Sequence, residues 1–406
     1  MAACGTIIDN PRESLANRLR ALKFRGLAHY RAGDIAGAAS DFAAATALAP
    51  DDAEAWSNLG MMRQARGDLD GAIADYDKAI ALDPGSWVAH VNRGNALRLK
   101  REPAAAIAAY DRALGLKQDL AAALRGRALA RQMQGNLPAA IADATAALRI
   151  DPHDGEALLA RGNALRLRGD ADQALADYEA ATRAGPDLAS AWLDRGALLM
   201  EKGKLADAIA SFDRTIALDP RSVEAYNNRG AAQSQNGDFA RAAADLDMAL
   251  RLAPEAEGPH GNRGFVRLAR GDFAGADADF SALAARDPAD PYRVLWRHLA
   301  RMRAGAVDDG FARETAAMAA GPWPGPLLAL YAGTLAPERV MDMGADVEPA
   351  LRAERHCEIV FYVGEYALAR NEPAAAAPLL REAAASCAVG FLERAGALGE
   401  LQRLQP

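Results

Sequence analysis

From about Leu19 to Asp290 the chain restates itself every 34 residues. A small side chain kept at one phase of a helical repeat marks a place where two backbones approach closely. Such a column runs through Gly26, Gly60, Gly94, Ala128, Gly162, Gly196, Gly230 and Gly264. Twelve residues further on stands an unbroken column of alanines: Ala38, Ala72, Ala106, Ala140, Ala174, Ala208, Ala242 and Ala276. Alanine leaves room and favours helix. Between the two columns Gly33, Gly67, Gly135, Gly169, Gly203, Gly237 and Gly271 supply a turn, usually followed by Asp or Asn, which cap the next helix. Pro50, Pro84, Pro152, Pro186, Pro220, Pro254 and Pro288 then stop the second helix, because proline cannot donate to the helical ladder. Arg101 and Gln118 are the departures from the last two columns. Each unit therefore reads as helix, turn, helix, and such a unit buries its apolar face against its neighbours.

Large residues fill the remaining columns: Trp56, Trp192 and Tyr226 on first helices, and Phe42, Tyr76, Tyr110, Tyr178, Phe212 and Phe280 on second helices. Their recurrence makes them core residues rather than a cofactor box. Together these columns resemble the tetratricopeptide repeat family over roughly two thirds of the chain. The resemblance implies an all-α fold, a superhelical solenoid of α-α repeats closed by a helical C-terminal cap, since an uncapped stack exposes an apolar face. The expected division is an N-terminal segment over 1–18, eight tandem units over 19–290, and a degenerate repeat with terminal helices over 291–406.

The formal net charge of -7 gives no basic stripe to follow a phosphate backbone, so nucleic acid is not an expected partner. No stretch approaches eighteen continuous apolar residues, so no membrane span is expected. His29, His90, His153, His260, His298 and His356 do not pair with a glutamate as on a metalloprotease helix. His90 and His260 take the core column that Trp56 fills elsewhere. There is no G-x-S-x-G elbow, no phosphate loop and no Cys/His ligand cluster. The expectation is a non-enzymatic chain without metal or cofactor.

After Asp290 the register loosens. The run Asp290, Pro291, Tyr292, Arg293, Val294, Leu295, Trp296 opens a further helix; Pro322, Trp323 and Pro324 make a break; a short apolar helix runs through Leu327, Leu328, Leu330 and Tyr331 to Gly333. A last helix pair is expected to begin at Cys357, with a partner from about Glu372 to Ser386 and a final amphipathic helix from Phe391 to Leu404 closing the open end. The Leu-Trp run, the Leu330 to Gly333 turn, the Phe361 to Tyr366 stretch, and Glu393, Glu400 and Leu401 resemble the NlpI family of bacterial outer-membrane lipoproteins. That resemblance implies a periplasmic, lipid-anchored adaptor bringing peptidoglycan hydrolases and proteases together.

Three cysteines bear on the compartment. Cys357 and Cys387 stand at ends of an expected helical hairpin that lie side by side, so a disulfide fits, and one persists only under oxidising conditions. The alternative is two unrelated small core residues. Cys4, in Met-Ala-Ala-Cys-Gly, looks like a lipoprotein cleavage site and is a candidate for lipidation. Either Met1 lies inside a longer signal peptide or the likeness is accidental.

By the tetratricopeptide resemblance, the first helices line a concave groove with positions 2, 5, 6, 9, 12 and 13 of each repeat. Here these include Asn58, Asn92, Asn95, Arg98, Arg125, Asn163, Arg166, Asn227, Asn228 and Asn262. Asparagines suit the backbone of an extended peptide and arginines suit a carboxylate; the alternative is a merely solvated face. A second ladder, with Arg25, Arg93, Arg127, Arg161, Arg195, Arg229, Arg263 and Arg297 in one column and Asp41, Asp75, Asp143, Asp177, Asp245 and Asp279 in another, is expected to form structural ion pairs. The function expected is a scaffold or adaptor for protein or peptide partners. It is placed in the envelope on one reading and in the cytosol as a scaffold or co-chaperone on another; self-association is a third.

Overall fold

The computed structural model describes residues 2–306, 308, 310–344, 348 and 351–404; Met1 and residues 405–406, the outer limits of the first and last expected segments, lie outside the described residues. The chain divides into two compact units, Met1–Pro186 and Asp187–Pro406. Among the described residues every regular element is a helix.

The first unit opens with α1 (Ala2–Asp9), followed by five helix pairs: α2 (Leu15–Arg31) with α3 (Ile35–Leu48), α4 (Ala53–Ala65) with α5 (Leu69–Leu82), α6 (Trp87–Leu99) with α7 (Pro103–Leu116), α8 (Ala121–Met133) with α9 (Leu137–Ile150), and α10 (Gly155–Arg168) with α11 (Ala171–Ala184). The capping residues read from the sequence do that work: Asp34 accepts from the Gly37 amide at 2.8 Å and Asp68 from the Gly71 amide at 2.9 Å. Arg101, which breaks the turn glycine column, still takes its left-handed backbone, at φ 63°. The N-terminal segment is helical and packed. Ile8 lies against Leu22, Ala45 and Ala55, and Arg18 donates to the Ile8 carbonyl at 3.1 Å.

The glycine column has a specific cause. A Cβ at Gly94 would lie 2.7 Å from the Tyr110 ring, one at Gly60 2.8 Å from Tyr76, and one at Gly162 2.7 Å from Tyr178. Each glycine is the seat of the large ring on the second helix of its own pair. In the α8–α9 pair both sides change at once: the glycine is Ala128, and the ring position is Ala144. Both are buried.

The second unit continues with three pairs: α12 (Ala189–Glu201) with α13 (Leu205–Leu218), α14 (Val223–Gln235) with α15 (Phe239–Leu252), and α16 (Glu257–Arg270) with α17 (Phe273–Arg286). Then come α18 (Pro291–Arg303), α19 (Phe311–Ala319), α20 (Gly325–Tyr331), α21 (Pro337–Asp342), α22 (Arg352–Ala369), α23 (Pro373–Ser386) and α24 (Leu392–Leu404). One apolar core joins Phe265, Phe280 and Leu295 to Phe311, Leu328, Phe361 and Leu380. Two details differ from expectation. The first helix of the last pair starts at Arg352, so Cys357 lies inside it. The final helix does more than close an end: it packs on α16 as well as on α22 and α23, and reaches α14. Gly396 and Gly399 allow this approach; a Cβ at Gly396 would lie 2.7 Å from the Phe361 ring, and one at Gly399 would collide with Ala269.

The arginine ladder is a repeated clamp. Arg25, Arg127, Arg161, Arg229 and Arg263 each reach a buried aspartate sixteen residues on, at 2.6, 2.6, 2.7, 2.6 and 2.7 Å. Three of them also reach sixteen residues back into the preceding pair, Arg127 to Asp111, Arg229 to Asp213 and Arg263 to Asp247, and Arg93 reaches back alone, to Asp77. One cation thus ties two helix pairs. Asp75 is the departure. Its column partner is Leu59, and Arg63 serves it instead from another turn, at 2.7 Å. One Asp75 oxygen has no hydrogen-bond partner among the described residues, and burial pushes its carboxyl up to about 6.

Candidate functional site

In the first unit the expected groove residues sort by what already holds them. Asn95 and Asn163 accept from the hydroxyls of Tyr110 and Tyr178, at 2.7 and 2.6 Å, so each anchors a core ring. Arg125 is bound to Asp154 and Glu156 of the next pair, at 2.7 and 2.9 Å. Among the described residues Asn58 and Asn92 make no side-chain hydrogen bond within the chain, and both are partly exposed. Arg98 is partly buried, with a buried Nε that has no acceptor among the described residues, and Arg166 is exposed at the same repeat position of α10.

In the second unit Asn262 donates to Asn227 at 2.9 Å and Asn227 to Asn228 at 3.2 Å, an amide chain running from α14 to α16. Beside it the face is occupied. Gln235 donates to the Phe391 carbonyl at 2.6 Å, and Arg394 donates to the Gln235 carbonyl at 3.1 Å. Met200, Ser234, Asn262 and Phe265 line a small hollow shared with Gly390, Leu392 and Ala395.

The sequence reading missed this seat of α24. Its signals were the small-residue pair Gly396 and Gly399, and a change at repeat position 13 from Leu99, Met133 and Leu167 to Glu201, Gln235 and Ala269.

Behind the seat lies a buried polar network. Arg303, placed over the Phe273 ring, pairs with Glu365 and with Glu400 at 3.0 Å, while Arg403 reaches Glu400 at 2.7 Å. Burial, with Glu400 alongside, pushes the Glu365 carboxyl up to about 8. Glu393 accepts from the Tyr362 hydroxyl at 3.2 Å, and burial raises it to about 7. Glu358 accepts from Tyr292 at 2.7 Å and from the Trp323 indole, and burial raises its carboxyl as well. The tryptophans are equally committed: Trp296 donates to the Tyr362 hydroxyl at 2.7 Å. His260, in the column of Trp56, bridges the Pro254 carbonyl at 3.0 Å and Asp279 at 2.9 Å, and Trp56 donates to the Pro50 carbonyl at 3.0 Å.

The structure brings Cys357 and Cys387 together in a disulfide, with Cα atoms 4.9 Å apart. Cys4 is a free thiol, partly buried on α1. Among the described residues no group of three or more His, Cys, Asp or Glu side chains is placed to hold a metal ion. No helix among them is long and apolar enough to cross a membrane.

Comparison with known proteins agrees with this architecture. A tetratricopeptide repeat model matches six overlapping stretches, 25–87, 63–121, 91–155, 125–189, 159–220 and 193–257. Among solved structures, the chain is similar to a tetratricopeptide repeat protein from Parabacteroides merdae, at 20% identity over 60% of this chain and 97% of that one, with a TM-score of 0.49. PilF of Pseudomonas aeruginosa is 20% identical over 52% of this chain and 96% of its own, with a TM-score of 0.46. YrrB, described as a repeat protein with an unusual peptide-binding site, is 24% identical over 45% and 95%, with a TM-score of 0.37. No curated protein matches the chain. The matched stretches cover more than half of the sequence, and the chain belongs to the tetratricopeptide repeat family.

Proposed function

We propose that this chain is a non-enzymatic scaffold that holds protein or peptide partners on its first-helix faces. The observation that carries the reading is the division of labour in the first unit. Asn95, Asn163 and Arg125 are consumed by the fold, whereas Asn58 and Asn92 stand on the same face with both amide donors and the acceptor unspent. Side chains of that kind satisfy the polar groups of a bound chain. In this reading 19–290 form the repeat array, 1–18 precede it, and 291–406 complete it with terminal helices.

The site of action proposed is the cell envelope, with Cys4 as lipid anchor and peptidoglycan hydrolases or proteases as partners. The Cys357–Cys387 bridge supports it, because such bonds persist in oxidising compartments. A second reading, a cytosolic scaffold, is favoured by Cys4 lying partly buried in a helix packed on α2 rather than on an extended tether.

Non-reducing peptide mapping of protein from its own cells decides between them. An acylated Cys4 with an intact bridge supports the envelope; an unprocessed start with free thiols supports the cytosol. For the groove, the test is cross-linked capture from the same cells with Asn58→Ala and Asn92→Ala combined. Partner recovery is expected to fall at least tenfold, and unchanged recovery would sink the assignment.

A further inference from the structure

The aspartate column on the second helices has one member that offers no oxygen. In the α16–α17 pair Asp279 is held from three sides, by His260 Nδ1 at 2.9 Å, Arg263 Nη2 at 2.7 Å and Arg267 Nη1 at 2.8 Å. The α6–α7 pair repeats two of these holders, with His90 and Arg93 at the positions of His260 and Arg263, but the residue in the place of Asp279 is Ala109. Where the column carries Ser211 instead, its hydroxyl still accepts from Arg195, at 2.6 Å. Ala109 alone in the column has no side-chain oxygen.

The holders around Ala109 have found no substitute. Arg127, Arg229 and Arg263 spend Nε and Nη2 on the aspartate of their own pair and Nη1 on that of the pair before. Arg93 gives Nε to Asp77 at 2.6 Å, and its two Nη groups make no hydrogen bond among the described residues. Arg112 lies three residues on from Ala109, on the same face of α7, and has no ion pair among the described residues. His90 is 7% exposed. The Pro84 carbonyl lies beside its ring as Pro254 lies beside His260, yet Nε2 has no partner in hydrogen-bonding geometry and no carboxylate pairs with the ring among the described residues. Burial, with Arg112 and Arg93 nearby, holds the imidazole below its ordinary value.

Two arginines thus meet one half-exposed carboxylate, Asp77, at a place where other pairs bring a second, buried one. Water completes hydrogen bonds at such a place but leaves the charge unbalanced; an anion does both. Its size follows from the surroundings, since Ala109 is 2% exposed and the group it lacks is a single carboxylate. Arg93 is partly exposed and Arg112 exposed, which leaves a way in from solvent.

We infer that His90, Arg93 and Arg112 form, over Ala109, a site for a small monovalent anion, chloride or a carboxylate no larger than formate, standing where other pairs keep an aspartate. The site does not depend on the scaffold reading above.

The test titrates the full chain with sodium chloride against sodium gluconate at constant ionic strength, gluconate being too large to enter. Chloride binding is read by chlorine NMR linewidth and by the thermal unfolding midpoint. Chloride is expected to broaden the line saturably and to raise the midpoint by about 2 °C, with formate displacing it. Ala109→Asp supplies the carboxylate from within, so it should remove both responses while keeping a midpoint in gluconate at least as high as that of the unaltered chain. Arg112→Gln, at an exposed position, should weaken chloride binding at least fivefold without moving the midpoint in gluconate, and it keeps the site testable if Ala109→Asp does not fold. Equal broadening in Ala109→Asp, unchanged affinity in Arg112→Gln, a chloride response that does not saturate, or no displacement by formate would each overturn the inference.

Discussion

Where Tyr76, Tyr110 and Tyr178 push a ring into the first helix of their own pair, that helix has no side chain to meet it; where the ring position is Ala144, the facing residue has grown to Ala128. The two positions conserve volume between them. Ala144→Tyr alone should cost about 2 kcal/mol through overpacking, and adding Ala128→Gly should recover at least about 1 kcal/mol of it in a double-mutant cycle read by urea denaturation. Strict additivity would show that the sites do not share one space.

Asp75 supports a prediction of a different kind. Its folded carboxyl lies near 6, above the ordinary value of 3.8, so the folded chain holds a proton that the unfolded chain releases. Stability from this group is fully present below about pH 4 and declines as pH rises to 6. Asp75→Asn should raise stability at pH 7 by about 1 kcal/mol and flatten that slope in thermal melts across the window. The columns themselves were legible in the sequence because each is a local pattern repeated six to eight times. The shifted carboxyl of Asp75 was not, because its half-satisfied state arises at Leu59, sixteen residues away on another helix, where the other pairs have an arginine.

At the scale of elements, existence was easier to read than destination. The last helix was expected within one residue of its start, yet a single copy with no repeat around it says little of which face it will meet, and its seat depends on Gly399 against α16 and Gly396 against α22. Its attachment should respond to pH. Glu393 on α24 meets the Tyr362 hydroxyl, with Glu358 and Glu354 nearby. Glu365 on α22 meets Arg303, with Glu400 and Arg403 of α24 alongside. Both carboxyls titrate above their ordinary 4.5, near 7 and 8, so the packed form retains protons that the detached form gives up, and the seat weakens as pH rises from about 4.5 toward 8. Hydrogen exchange over 388–404, corrected for its intrinsic pH dependence, should be faster at pH 8 than at pH 6. Glu393→Gln should narrow the difference, and an unchanged difference would remove Glu393 as its source.

For the molecule as a whole, two compact units with separate cores imply unfolding in more than one step, since a repeat array is held by contacts between neighbours. Cys357 and Cys387 close a 30-residue separation within the second unit. Replacing both by serine should destabilise that unit by about 3 to 4 kcal/mol. Trp56 and Trp87 report on the first unit and Trp192, Trp296 and Trp323 on the second, so hydrogen exchange resolved by segment with tryptophan fluorescence should show a shift confined to the second. A matching shift in the first would show that the chain unfolds as one body.

The arginine clamp carries one more consequence. Arg127, Arg229 and Arg263 each hold an aspartate of their own pair and one of the pair before, at a fixed sixteen residues in both directions. A duplication or loss of a whole number of 34-residue repeats rejoins these ties with the same spacing, whereas a change of another length within a pair moves the buried aspartate out of register with its arginine. The genetic history open to such an array therefore runs in whole repeats, and its reach toward partners can change by inheritance without redesign of its interior.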